Sequence, residues 1–364
     1  MSIRVAHWGT GQTGRMALQG IIGHSDLQLV GLYVEREGNV GRDAGELCDR
    51  PPTGVKAVRS VAELLALKPD CVSYFGSGAG TQVRLGVDNI VSLLEAGCDV
   101  VTTSLMPLIH PMPAHEQYIA RIQAACRVGN SRFFATGIEP GFASDVLPTA
   151  LLGIVDELEK LHIREIADYS RYGVEPVMRD YFGFGKPADY AVPVLARGQL
   201  AAEWGGVVKH LARMARIEVD DLAEVTEVAL TAHPLDTAFG IVDSGTIAGV
   251  RFEVQGRIRG KPVIIIEHVN ILADDVAPHW ERARTGKDCV YRIDIQGRPT
   301  MRCELAFDCI AGEEHGLIAT AMRAINAIPV IRSAAPGVLL ASDVPVRASG
   351  HLSAKLRNDE LTSS

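Results

Sequence analysis

The sequence predicts an α/β protein with two parts. The first is a doubly wound parallel sheet; the second is an α+β domain on an open, mostly antiparallel sheet. Three observations predict this. Short apolar runs alternate with helical patterns over the first 135 residues or so. A Gly-x-Gly-x-x-Gly loop directly follows the first of those runs. After about residue 155 the apolar runs lengthen, begin to alternate with polar residues and are punctuated by glycine turns.

IRVAHW (3–8) reads as the first strand, followed by a glycine loop and a helix to about Gly23. LQLVGLYV (27–34), DCVSYF (70–75), CDVVTT and RFFAT read as further strands. Helices VAELLALK, TQVRLGVDNIVSLLEAG and AHEQYIARIQAACRVG separate them. Strands this apolar are buried on both faces, which requires a parallel sheet covered by helices. In the second part, LHIREIADYS, EVTEVALTA, TIAGVRFEVQGRIRG, KPVIIIEHVNIL, CVYRIDIQG and TMRCELAF read as strands. Arg259-Gly260 and Gln296-Gly297 are expected to be hairpin turns. Helices are expected near 188–216, and a helix at 313–328 is expected to return to the first domain. The resulting domains are 1–150, 151–312 and a returning segment 313–350.

A chain of 364 residues can bury a sizeable core. Its formal charge of −8 gives no reason to expect nucleic acid or an anionic membrane as partner. No apolar run approaches the roughly 20 residues of a membrane-spanning helix. The seven cysteines contain no Cys-x-x-Cys pair, as expected of reduced thiols in a cytoplasmic protein. The tail RNDELTSS is expected to be disordered.

Gly9-Thr10-Gly11-Gln12-Thr13-Gly14 lies between a strand and a helix, the context in which this spacing binds a dinucleotide. Gly9 allows the tight turn, Gly11 lets a pyrophosphate approach the backbone, and Gly14 lets helix and strand pack closely. The helix N-terminus then offers free N–H groups and a positive dipole end. The cofactor is therefore expected to be NADP or NAD. Glu35, about 20 residues on, suits the ribose hydroxyls of NAD. Arg36 suits the 2′-phosphate of NADP, and both choices stay open. Gly76, Ser77, Thr103 and Ser104 lie at C-terminal strand ends, where ligands of such sheets bind.

TGIEPGF (136–142) holds the candidate catalytic residue. Glu139 precedes a Pro-Gly turn, so its side chain can be aimed, and burial would raise its pKa into a range useful for acid–base work. The alternatives are a solvated loop charge or a cap for the helix that follows. His268, on an apolar strand, reads more naturally as a satisfied core histidine. His110 and His115 are separated by prolines and do not make a metal pair, so no metal is expected. A small-molecule substrate with an apolar body is expected, beside Leu105, Met106, Phe142 and Met178.

EREGNVGRDAGEL (35–47) resembles the corresponding stretch of dihydrodipicolinate reductase. That enzyme's catalytic stretch, a His-His pair followed by a lysine, has no counterpart here. GIEPGFASDVLP (137–148), ADYSRYG and FGFGKP (167–187), IEHVNILADDVAPHW (266–280) and NAIPVIRSAAPGVLLASDVP (326–345) resemble 2,4-diaminopentanoate dehydrogenase and the related native amine dehydrogenases. The resemblance implies a Rossmann domain, a substrate domain on an open sheet, a homodimer, and hydride transfer between NAD(P)H and an imine carbon. It also places Tyr169 and Tyr172 on a strand end facing the cofactor domain, with Tyr172 a pocket candidate. The family's usual acidic segment after the fourth strand reads VVTTSLMPLIHP here, with Leu105 and Met106 at the acidic positions. That departure predicts little ammonia-dependent turnover unless another carboxylate has taken the role. It also leaves open an alternative, a silent NAD(P)-binding sensor or scaffold.

Overall fold

The structure, a computed structural model, describes residues 2–78, 82–283, 287–308 and 314–351. The tail expected to be disordered lies outside the described residues, as does residue 313. Two compact units divide the chain. One holds Met1–Ile109, His115–Gly137 and the chain from Leu317 onward; the other holds His110–Ala114 and Ile138–Gly316.

The first unit is a doubly wound sheet. In chain order its elements are β1 (Ile3–Trp8), α1 (Gln12–Gly23), β2 (Leu27–Tyr33), β3 (Ala57–Val58), α2 (Val61–Ala66), β4 (Cys71–Tyr74), α3 (Val83–Glu95), β5 (Asp99–Thr102), α4 (Glu116–Gly129) and β6 (Arg132–Ala135). Seven strands lie in the order β15-β6-β5-β4-β1-β2-β3, all parallel, where β15 is Gly337–Leu339. The period-2 alternation of a strand divides the core. Phe133 packs with residues of α2, α3 and α4, whereas its neighbour Phe134 packs with α1 and with α7 (His315–Ile331) on the other face. Both are fully buried. Truncating either to alanine would cost about 3–5 kcal/mol. The short strands β3 and β15 carry too few residues to show an alternation and are not apparent in the sequence.

The second unit contains α5 (Val146–Leu152), β7 (Glu157–Asp168), α6 (Gln199–Ala215), β8 (Asp221–Leu230), β9 (Leu235–Thr237), β10 (Gly240–Val242), β11 (Ile247–Ile258), β12 (Lys261–Ile271), β13 (Lys287–Arg298) and β14 (Met301–Asp308). Its main sheet runs β14-β13-β7-β12-β11-β8. Only the β7–β12 pair is parallel. β9 and β10 form a separate small hairpin. Trp204 of α6 packs on Phe252 and His268, so the even-numbered residues of β11 and β12 face that helix.

Arg259 and Gly260, with φ of 52° and 75°, make the two-residue turn between β11 and β12. The Gln296-Gly297 turn is corrected. Those residues lie inside β13, at a register irregularity against β7, and the chain reverses just beyond Arg298. Gly297 is needed there because a Cβ would sit 2.0 Å from the carbonyl oxygen of Glu157. A bulge glycine and a turn glycine look alike in sequence. Among the described residues no helix is long and apolar enough to cross a membrane.

Candidate active site: a glycine loop and a buried acid–histidine cluster

The three loop glycines have different reasons to be glycine. Gly9 has φ of 101°, and a Cβ there would meet the Phe75 carbonyl oxygen at 2.4 Å. A Cβ on Gly14 would meet the Gly9 carbonyl oxygen at 2.4 Å. Both are demanded by the fold itself. Gly11 is not: its φ is −68°, and a Cβ there would have no heavy atom within 4 Å. The space before Gly11 lies at the N-terminus of α1, which has no side-chain cap and no acidic residue in its first turn. Open space, free N–H groups and a positive dipole end fit a pyrophosphate.

Residues at neighbouring strand ends join this loop. Ser77, after β4, donates from its N–H to Glu35 Oε1 at 3.1 Å, and its hydroxyl lies 3.2 Å from the same oxygen. Gly76 lies close to Trp8 and Glu35, and Gly78 close to Ser104. Thr102 Oγ1, at the end of β5, accepts from the Ser104 N–H at 3.0 Å. Thr10, Thr13, Thr103 and Ser104 are half-buried; Gln12, Glu35 and Arg36 are exposed. His7, not noted in the sequence, pins the loop. Its Nε2 lies 2.7 Å from the Gly9 carbonyl oxygen and its Nδ1 3.1 Å from the Ser73 hydroxyl. Burial lowers its pKa to about 4, so the ring is neutral and Nε2–H donates to Gly9.

Glu139 lies four residues beyond Ala135, the last residue of β6. Gly141, with φ of 144° and ψ of −133°, turns the chain in a way only glycine does easily. Neither bland alternative for Glu139 matches the structure. Its side chain is 2% exposed, and Asp145 caps α5 instead, accepting from Val146 N–H. Glu139 Oε1 lies 3.3 Å from His268 Nε2. On the other side of the ring, His268 Nδ1 lies 3.6 Å from Glu165 Oε1, which also accepts from the Tyr169 hydroxyl at 2.9 Å. The Phe252 ring stacks on the imidazole at 4.7 Å between centroids, and Trp204 meets it edge-on at 4.9 Å.

One imidazole thus serves two buried carboxylates. Burial alone would lower the His268 pKa, but Glu139 and Glu165 outweigh it and push it up to about 9. Burial raises the Glu139 pKa, and the His268 contacts offset that only in part. Glu139 Oε2 makes no hydrogen bond of ordinary geometry. A third carboxyl, Glu203, accepts from Tyr181 and Gln199 at 2.5 Å each, and burial raises its pKa too. The cluster therefore attracts one more positive charge, whether a proton or a cationic group.

Sequence reasoning set His268 aside and did not consider Glu165. They meet because β7 and β12 pair in parallel with His268 opposite Glu165, 103 residues apart in the chain. The available signal was the regular appearance of polar residues in the apolar run IIIEHVN. The proposed pocket residues fall into different units. Leu105 is fully buried in the first unit's core, with Met106 packed against it. Met178 is fully buried in the second unit, where Phe142 and Tyr172 are half-buried and Tyr172 lies 5.9 Å from the Tyr169 ring.

Comparison with known proteins gives the chemistry a context. Residues 142–358 match the family described as the 2,4-diaminopentanoate dehydrogenase C-terminal domain. An amine dehydrogenase from Streptomyces virginiae is 34% identical over 353 residues, covering 96% of this chain and 98% of its own. The solved amine dehydrogenase from Mycobacterium smegmatis superposes with a TM-score of 0.77 at 17% identity, covering 96% of this chain and 97% of its own. The WlbA dehydrogenase from Bordetella pertussis, solved with NADH and UDP-GlcNAcA, shares the fold at a TM-score of 0.55 and 13% identity, over 94% of this chain and 92% of its own.

Proposed function

The chain belongs to the 2,4-diaminopentanoate dehydrogenase family and is an amine dehydrogenase-like, NAD(P)-dependent oxidoreductase; from that premise we propose that Glu139, backed by His268, exchanges protons with the substrate nitrogen. The observation that carries this reading is the charge balance around His268: two buried carboxylates face one imidazole. The alternative of a silent sensor gives way, because the relatives are dehydrogenases and the cluster is equipped for proton transfer.

The bound nicotinamide supplies or accepts the hydride. The glycine loop Gly9–Gly14 and the α1 N-terminus hold its pyrophosphate, Glu35 its ribose, and Arg36 a 2′-phosphate when one is present. Ser77, Thr103 and Ser104 line the strand ends beside it. Both NAD and NADP are accepted.

In the direction of amine oxidation, Glu139 takes a proton from the substrate ammonium, leaving the neutral amine whose α-carbon can lose hydride. That proton passes on to solvent, and the ionised carboxylate then stabilises the resulting iminium. Glu139 then takes a proton from the water that attacks the iminium carbon and returns it to the nitrogen of the carbinolamine; the C–N bond breaks, the hydroxyl proton is released to solvent, and ketone and ammonia leave. In reverse, the protonated carboxyl assists loss of water from the carbinolamine. Leu105 and Met106 cannot play this part, and Glu139 is the carboxylate that replaces the family's usual one. Ammonium-dependent reduction of small ketones is accordingly expected, contrary to what Leu105 and Met106 alone imply.

Glu139→Gln keeps the shape and removes the proton exchange. It should lower kcat by about 100-fold or more with unchanged nucleotide affinity. The assay is NAD(P)H oxidation with ketones and ammonium, alongside fluorescence titration of NADPH. An undiminished kcat would return the role to another group. A homodimer and a cytoplasmic location complete the proposal; light scattering tests the first.

A further inference from the structure

Asn270 has no visible reason to be polar. It is fully buried, and among the described residues neither its Oδ1 nor its Nδ2 has a hydrogen-bond partner. A buried amide left unpaired at both ends is costly, so such a group calls for a partner that the protein itself does not supply. Its position narrows the choice. Asn270 lies two residues beyond His268 on β12, so both side chains rise from the same face of the sheet, roughly 6.6 Å apart along the strand. Its strand neighbours are Ala167 on β7 and Val250 on β11. Both are short, whereas the corresponding neighbours of His268 are Glu165 and Phe252. The side chains that flank Asn270 on its face of the sheet are thus smaller than those that flank His268.

We propose that Asn270 is a specificity-determining residue that binds a second, neutral hydrogen-bonding group on the substrate, so that the enzyme takes small amines and ketones carrying a hydroxyl or carboxamide a few bonds from the reacting carbon. The amide can donate and accept at once, which matches a hydroxyl or a carboxamide and fits neither a hydrocarbon nor an isolated charge. This rests on the reading of Glu139 as the group at the reacting nitrogen. Its own content is the second contact.

The test uses the full-length enzyme with matched ketones, 2-pentanone and 5-hydroxy-2-pentanone, with NADPH and ammonium. The wild type should favour the hydroxyketone by at least about tenfold in kcat/KM. Asn270→Leu should erase that preference, so that the two ketones react with kcat/KM values within about threefold of each other. Without substrate, Asn270→Leu should melt at or above the wild-type temperature, because it removes an unpaired polar group from the interior. No preference in the wild type, or a preference that survives in the variant, overturns the proposal. So does a large drop in melting temperature, which would mean that the amide is satisfied by internal water and is structural. Glu139→Gln separates the two claims: it should slow both ketones equally. If it slows neither while Asn270→Leu still removes the preference, the reading of Glu139 fails and that of Asn270 stands.

Discussion

Glu267 and His268 are neighbours in sequence and opposites in environment. Both lie on β12 and both are nearly buried, but the alternation of the strand sends them to different faces of the sheet. Glu267 meets Arg251 Nε at 2.6 Å and Arg164 Nε at 2.7 Å. Arg164 also holds Asp294 at 2.5 Å, and Asp294 in turn holds Arg302 at 2.6 Å. Burial would raise the Glu267 pKa, but His162, Arg251 and Arg164 outweigh it and bring it down to about 2. On this face charges are saturated by charges of the same chain. On the α6 face, one histidine is shared by two carboxylates, and the Asn270 amide has no hydrogen-bond partner among the described residues. Saturated charge holds a structure together; unsaturated buried polarity is kept where something else is to bind.

Removing a charge from each face should therefore give different results. The largest expected effect is from Glu267→Gln, which removes a buried carboxylate and leaves the half-buried guanidinium groups of Arg164 and Arg251 undercompensated. It should cost about 3–5 kcal/mol in denaturant unfolding, with little change in kcat of the folded enzyme. Glu139→Gln should do the reverse, losing about 100-fold in kcat with stability unchanged or improved. If the two variants failed in the same way, the faces would not differ as described.

The pH dependence of stability sharpens the contrast. His268 has a folded pKa of about 9 against 6.5 unperturbed, so its contribution is complete below 6.5 and is lost as pH rises through 9. Glu139, also raised, acts in the same direction. Glu267 has a folded pKa of about 2 against 4.5, so its contribution is present above 4.5 and is lost as pH falls toward 2. Each arm should slope by at most about 1.4 kcal/mol per pH unit per proton. Unfolding measured across pH should show His268→Gln flattening the alkaline arm and Glu267→Gln flattening the acid arm.

The smallest effect concerns another uncompensated charge. Arg36 is exposed and, among the described residues, has no ion-pair partner. Arg36→Ala should weaken NADP about tenfold and leave NAD nearly unchanged, as read from the two dissociation constants. Equal weakening would mean that Arg36 does not read the 2′-phosphate.

Local pattern was enough for much of this molecule. The glycine spacing, the apolar runs and the change of period after about residue 155 determined the doubly wound sheet, the second sheet and the glycine loop, because each depends on residues close together in the chain. The Pro-Gly turn singled out Glu139 for a similar reason: the turn fixes the backbone locally. Tertiary structure alone decided what Glu139 meets. His268 reaches it from 129 residues away, and Glu165 comes into place only through the β7–β12 register. The same register put Glu267 among arginines and left Asn270 above Ala167. A one-residue slip would exchange the two faces, and no single-sequence pattern specifies which partner strand lies beside β12.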